Sequence, residues 1–106
     1  MIKLVVKWLP ENVAAMTIFP FIFFMNEEYK NNPETVNHEK IHIKQQLEMF
    51  ILPFFIWYGI EFLIKRIKND SLTAYNNISF EKESYANQNN LNYLSTRKRY
   101  SWVKYL

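Results

Sequence analysis

Apolar stretches alternate with short polar segments along this chain, and each stretch predicts a different element. Residues 2–9 are apolar apart from two lysines and are followed by a proline, which predicts an edge strand or a membrane-surface segment. Residues 13–25 are almost entirely apolar and too short to span a bilayer. Their β-branched and aromatic side chains favour extended structure that is interrupted at Pro20.

Helical spacing begins after the polar residues 26–32. Asn32 can cap a helix that starts at Pro33, and Glu34 complements the positive end of the helix dipole. Apolar side chains then recur at three- and four-residue intervals as far as Phe50, which predicts a long amphipathic helix.

Residues 47–64 form the most apolar stretch and are about long enough to span a bilayer at roughly 1.5 Å per residue. Pro53 counts against a simple span because an interior proline costs a helix about 3 kcal/mol. Glu48 and Glu61 count against it because a carboxylate at the bilayer centre costs roughly 2.5 kcal/mol or more. We therefore predict two helices, or one bent helix, with the break near Pro53.

The remainder of the chain is more polar. Residues 69–78 predict a connection, and Ser79 can cap a helix that runs to about Leu94. In residues 96–106 basic side chains alternate with aromatic ones, which suits an anionic membrane surface. We expect a mainly α fold, or an α+β fold with a minimal N-terminal strand or hairpin, in one domain of residues 1–106 with this basic-aromatic tail.

Composition adds three constraints. With 106 residues the chain forms one small domain, and its 18% of aromatic residues predict packing against a partner or a membrane surface. The chain has no cysteine, so disulfides and thiolate metal sites are excluded. The formal net charge of +3 is modest and spread along the chain, so it does not indicate nucleic acid as a partner.

The sequence His-Glu-x-x-His carries the chemistry. On a helix, His38 and His42 lie one turn apart on the same face, where two imidazoles can share one metal ion, and such nitrogen ligands suit Zn²⁺. Glu39 points beside that position rather than at it. Its carboxylate can therefore accept a proton from a zinc-activated water, whose pKa falls to about 7.

A second element lies in the late predicted helix. Glu83 and Asn87 are four residues apart and share a face with apolar side chains, where an unpaired acid and amide would be costly to bury. A bound metal ion would explain why an acid and an amide lie on this apolar face. We expect Glu83 to be the third ligand and Asn87 to fix His38 through a hydrogen bond.

Three other carboxylates stay open as ligands. One lies on the metal helix beyond the motif, where the chain would have to turn after His42. The second precedes Glu83 by two residues and is expected in solvent, and the third lies in the apolar stretch. They are, in that order, Glu48, Glu81 and Glu61.

These two motifs resemble those of the gluzincins, zinc metallopeptidases of the thermolysin type that include integral-membrane members. The resemblance implies His38, His42 and Glu83 as zinc ligands and Glu39 as general base. Asn87 stands where the family usually has an aspartate. In zinc peptidases of this type an edge strand beside the metal helix holds the substrate backbone, and residues 13–25 are the candidate for it. A core strand or a membrane-dipping loop is the favoured alternative for these residues.

We therefore expect a zinc metalloendopeptidase acting on a peptide or protein. The alternative is a non-catalytic membrane-associated protein with a structural metal or none. Residues 47–64 would lie against a membrane surface or a partner chain, with the site on the cytoplasmic side. A single span through residues 47–64 would put the histidines and Glu83 on opposite sides of a bilayer core about 30 Å thick, so span and complete site exclude each other.

Overall fold

The computed structural model describes all 106 residues. A small sheet comes first and six helices follow, which confirms the expected mainly α or α+β class. The elements are β1 (Ile2–Val5), β2 (Ala15–Ile18), β3 (Phe21–Phe24), α1 (Glu27–Lys30), α2 (Pro33–Glu48), α3 (Leu52–Arg66), α4 (Ser71–Asn76), α5 (Ser79–Asn87), α6 (Tyr93–Thr96) and a 3₁₀ helix (Ser101–Tyr105).

The sheet has the order β1-β3-β2, with β1 parallel and β2 antiparallel to the central strand. The predicted edge strand near the N-terminus is β1. The apolar stretch 13–25 is a hairpin whose turn lies at Phe19–Pro20, so it supplies one edge strand and one central strand. On β3, Ile22 and Phe24 are fully buried and pack with Ile43 of α2.

The helix α2 begins as the sequence predicts. The Asn32 side chain accepts hydrogen bonds from the backbone N–H groups of Glu34 and Thr35, and Pro33 opens the first turn. Gln46, near the other end, donates to the Thr17 carbonyl oxygen and accepts from the Phe19 N–H. These bonds fix α2 alongside β2, one of the two edge strands of the sheet.

The expected break lies just before Pro53. Phe50 and Ile51 have positive φ angles of 56° and 64°, which end α2 and turn the chain into α3. The axes of the two helices differ by 111°. No single helix combines the length and hydropathy of a membrane span; α2 and α3 meet those criteria only as this bent pair.

The late helix is shorter than the sequence predicts, because α5 ends at Asn87 and not near Leu94. The buried side chain of Asn37 donates to the carbonyl oxygens of Asn87, Gln88 and Asn90. A side-chain donor at these carbonyls replaces the N–H groups that would continue the helix, so the chain turns away.

The tail takes part in the core, whereas the alternation of basic and aromatic side chains in residues 96–106 had suggested a membrane surface. Trp102 is 6% exposed and packs with Phe54, Ile78 and Phe80. The indole ring lies 4.7 Å from the Phe80 ring and 5.7 Å from that of Trp57. Trp102 therefore serves packing, while Tyr100 and the lysines of the tail stay exposed.

Glu61 joins α3 to the start of α5. Its carboxylate accepts from the backbone N–H of Ser79 at 3.0 Å, from the Ser79 hydroxyl, from Trp57 Nε1 at 2.9 Å and from Lys65 Nζ at 3.0 Å. Burial raises the pKa of Glu61, but the hydrogen bonds from Ser79 and Lys65 outweigh it and lower the pKa. The carboxylate is therefore ionised and stabilises the fold.

We predict that Glu61→Gln lowers the free energy of unfolding by about 1–3 kcal/mol at neutral pH, because an amide is a weaker acceptor for these donors. A carboxylate with a lowered pKa stabilises above its unfolded pKa and loses that contribution as the pH falls. Urea denaturation should show the difference shrinking below about pH 4. Exposed Glu11→Gln is the control, and equal stability of the Glu61 variant at neutral pH would refute the assignment.

Candidate metal centre

Two helices bring three ligand atoms to one point. The Nε2 atoms of His38 and His42, one turn apart on α2, lie 3.2 Å from each other. Oε1 of Glu81, in the first turn of α5, lies 3.1 Å from both. All three residues are buried, at 4–6% exposure. Buried His38, Glu39 and His42 could bind a metal ion, since each can place a ligand atom within 4.8 Å of the others.

Gln45 fixes the tautomer of His42. Its side-chain nitrogen donates to the Phe80 carbonyl oxygen at 3.1 Å and to Glu83 Oε1 at 2.9 Å. Both partners only accept, so the amide oxygen of Gln45 must face His42 Nδ1, 2.7 Å away. Nδ1 therefore carries the proton, and the Nε2 lone pair is directed at the cluster. On His38, Gln88 Oε1 lies 2.8 Å from Nδ1.

The Nε2 lone pairs of His38 and His42 and the Oε1 atom of Glu81 all accept hydrogen bonds, so they repel one another when no hydrogen lies between them. The cluster therefore needs either a cation or a proton. Burial lowers the pKa of His42, but the charge and hydrogen bond of Glu81 and the charge of Glu39 raise it to about 9. Burial raises the pKa of Glu81, yet the two histidines hold it well below its usual range. In the metal-free protein a proton on His42 thus supplies the missing positive charge.

Glu39 lies beside this point and is held from the sheet. The Thr17 hydroxyl on β2 donates to Oε1 of Glu39 at 2.7 Å, in a buried contact. The other oxygen, Oε2, lies 3.8 Å from His38 Nε2. One carboxylate oxygen is thus anchored and the other faces the cluster.

Glu83 does not reach the histidines, contrary to the sequence prediction. Its carboxylate is fully buried in a second cluster, where Arg97 donates from Nε at 2.5 Å and from Nη2 at 3.0 Å, and Tyr93 donates at 2.6 Å. Helix α5 packs between α2 and the 3₁₀ helix and is buried on several sides. We expected the third ligand on the apolar face of the late helix. Because α5 is buried on several sides, it has no single apolar face, and Glu81 rather than Glu83 lies at the two histidines.

Asn87 is also displaced from its predicted role. It donates to the Glu83 carbonyl oxygen and to the Tyr105 hydroxyl, while Gln88 lies at His38. The other rival ligands are occupied elsewhere: Glu48 pairs with Arg97 at 2.8 Å, and Glu61 caps α5. The role of Gln45 could have been found from its spacing, because a residue three positions after His42 shares its helix face.

Four tyrosines lie around the cluster at His38 and His42 and the second cluster at Glu83. Tyr58, which the sequence did not single out, donates to Glu81 Oε2 at 2.7 Å. Tyr93 is engaged with Glu83. The Tyr85 ring packs edge-on against His38 at a centroid distance of 4.5 Å, and its hydroxyl lies 3.4 Å from that of Tyr75.

We predict that Glu83→Gln destabilises the fold and leaves metal binding intact. Burial raises the pKa of Glu83, but Arg97, Gln45 and Tyr93 outweigh it and lower the pKa, so the native group is a carboxylate. Losing its charge beside buried Arg97 should cost about 2 kcal/mol, measured by urea denaturation, with Glu34→Gln as exposed control. Loss of metal at unchanged stability would instead return Glu83 to the ligand set.

The centre is thus made of His38, His42 and Glu81, with Glu39 beside them and two glutamines behind the imidazoles. No protein-family model matches the chain, and neither a curated protein nor a solved structure matches it.

Proposed function

We propose that this protein is a small zinc metallopeptidase of the gluzincin type, which hydrolyses peptide bonds in a peptide or protein. The convergence of three buried acceptor atoms from His38, His42 and Glu81, with Glu39 beside them, carries the proposal. The two glutamines orient the imidazoles for metal binding before any metal arrives, and such support from behind the ligands is typical of functional metal sites.

Zn²⁺ suits this donor set. Catalytic zinc sites use three protein ligands, two histidines and a glutamate among them, and keep a fourth position open. Bonds of about 2.0–2.1 Å in a tetrahedron place the donor atoms about 3.3 Å apart, close to the 3.1–3.2 Å found between the three atoms here. When bound, the ion would polarise a carbonyl group and lower the pKa of a water molecule to about 7.

Glu39 is placed to move the proton. Its free oxygen faces the cluster, while Thr17 holds the other oxygen and prevents rotation of the carboxylate. As water oxygen bonds to the peptide carbon, Glu39 takes a proton from that water. It then delivers the proton to the amide nitrogen as the carbon–nitrogen bond breaks.

The edge of β2 offers a place for the substrate backbone. The Met25 N–H donates to the Ala14 carbonyl oxygen, and hydrogen bonding alternates along an antiparallel pair. The N–H and C=O groups of Ala15 therefore point away from β3, on the outer side of β2, whereas the next outward carbonyl oxygen, that of Thr17, is bound by Gln46. An extended peptide could pair there, two residues from the Thr17 that holds Glu39.

Tyr85 is the tyrosine best placed to contact a substrate. It packs against His38 and is 47% exposed, so its ring borders both the cluster and solvent. Burial raises the pKa of Tyr85, and the hydroxyl therefore keeps its proton at neutral pH. A phenol there could donate to the negative oxygen that develops on the carbonyl group.

We predict about one zinc per chain in protein purified without a histidine tag, because two imidazoles and one carboxylate meet at the site. His38→Ala, His42→Ala and Glu81→Gln should each lose the metal, whereas Glu39→Gln and the exposed control Glu34→Gln should retain it. Metal analysis by mass spectrometry measures the ratio. Retention in Glu81→Gln together with loss in Glu39→Gln would make Glu39 the third ligand.

We predict that Glu39→Gln reduces peptide hydrolysis by at least about 100-fold with zinc still bound, since it removes only the proton acceptor. Cleavage of a broad peptide library measures the rate, and undiminished cleavage would contradict the role. A zinc-loaded wild type that cleaves nothing would favour the alternative, a non-catalytic protein with a structural metal.

A further inference from the structure

The outward side of α3 is apolar along its whole length. Inward, the helix packs through Phe54, Tyr58 and Phe62. Its other large side chains are between 37% and 79% exposed, far more than the scattered apolar residues of an ordinary protein surface. We call this surface the α3 face; it consists of Leu52, Phe55, Ile56, Trp57, Ile60, Leu63, Ile64 and Ile67.

Exposed basic residues flank both ends of the α3 face. Arg66 and Lys68 lie on either side of Ile67 at its C-terminal end. On the N-terminal side, Phe50 lies two residues before Leu52, is 84% exposed and lines a hollow together with exposed Lys44 and Arg99. No charged side chain is exposed between the two ends, because Glu61 is buried under α3.

The acidic side chains lie elsewhere. Those that are exposed belong to the first 34 residues, with one exception at the start of α4; they are Glu11, Glu27, Glu28, Glu34 and Asp70. The later glutamates are buried or half-buried, and each is engaged by hydrogen bonds or ion pairs. Apart from Asp70, which lies near Arg66, the exposed charged residues that flank the α3 face are therefore basic.

This charge distribution indicates which partner binds the α3 face. A second copy of the chain, packed face to face, would bring basic ends against basic ends in either helix orientation. A membrane that contains anionic lipids presents an apolar layer beneath a negative surface, which complements both features.

We propose that the α3 face inserts into the interface of an anionic membrane, with α3 lying in the membrane plane and its flanking basic residues among the headgroups. Apolar side chains enter the acyl boundary, while Trp57, which donates its indole N–H to Glu61, lies at the polar edge. The proposal does not depend on the metal or on catalysis.

Co-sedimentation of the full chain with vesicles tests the proposal. Phosphatidylcholine vesicles that contain phosphatidylglycerol should bind at least about tenfold more tightly than pure phosphatidylcholine vesicles, since each basic residue near the surface contributes about a fivefold factor. Ile60→Gln with Leu63→Gln should weaken binding to the anionic vesicles at least about tenfold. The matched control, Ile2→Gln with Leu4→Gln, alters equally apolar exposed residues on β1 and should bind like the wild type.

The contribution of the flanking basic residues is tested by the same co-sedimentation measurement. Arg66→Gln with Lys68→Gln should weaken binding to anionic vesicles, whereas Lys3→Gln with Lys7→Gln should leave it unchanged. Circular dichroism shows whether each variant is folded. Absence of binding to either vesicle, or equal loss in the α3 and β1 variants, would overturn the proposal.

A variant of Gly59 distinguishes membrane binding from dimerisation of the chain. A Cβ added there meets nothing within 4 Å, so the first carbon of a side chain has space, and Gly59→Leu enlarges the apolar surface. The variant should bind anionic vesicles as tightly as the wild type or more tightly. A lipid-free dimer in analytical ultracentrifugation that Gly59→Leu or Leu63→Gln dissociates would instead assign the α3 face to a second copy and overturn the proposal.

Discussion

The buried amide of Gln45 is the interaction on which the centre of this molecule depends. It donates to the backbone of α5 and to Glu83, and it accepts from His42. One side chain thereby sets the distance between two helices, the tautomer of a histidine and the position of an acid. An amide satisfied at both ends costs little to bury, whereas one lost bond would leave a polar atom unpaired at 0% exposure.

Polar groups fill much of the space between α2 and α5, where a domain of this size would ordinarily place apolar side chains. The apolar clusters lie to either side, one under the sheet and one around Phe80. The fold therefore carries charge in its interior and apolar surface on its exterior. Both departures fall on elements to which we assign a role, the metal centre and the α3 face.

Local signals in the sequence predicted much of this. The Asn32 cap, the break before Pro53 and the pair His38–His42 each follow from residues close together in the chain, and the structure agrees with all three. The choice between Glu81 and Glu83 could not be made in this way. It depends on which side of α5 meets α2, and Arg97 and Asn37, distant in sequence, determine that packing.

The ion pairs of Arg97 also have a consequence for synthesis of the chain. Arg97 neutralises Glu83 on α5 and Glu48 on α2, and so holds the tail against both helices. The histidines leave the ribosome more than fifty residues before this arginine does. The histidines are therefore made early, but Glu81 follows much later and the fold around the site is complete only after Arg97 has emerged and docked, so metal loading is expected to be a late, post-translational event.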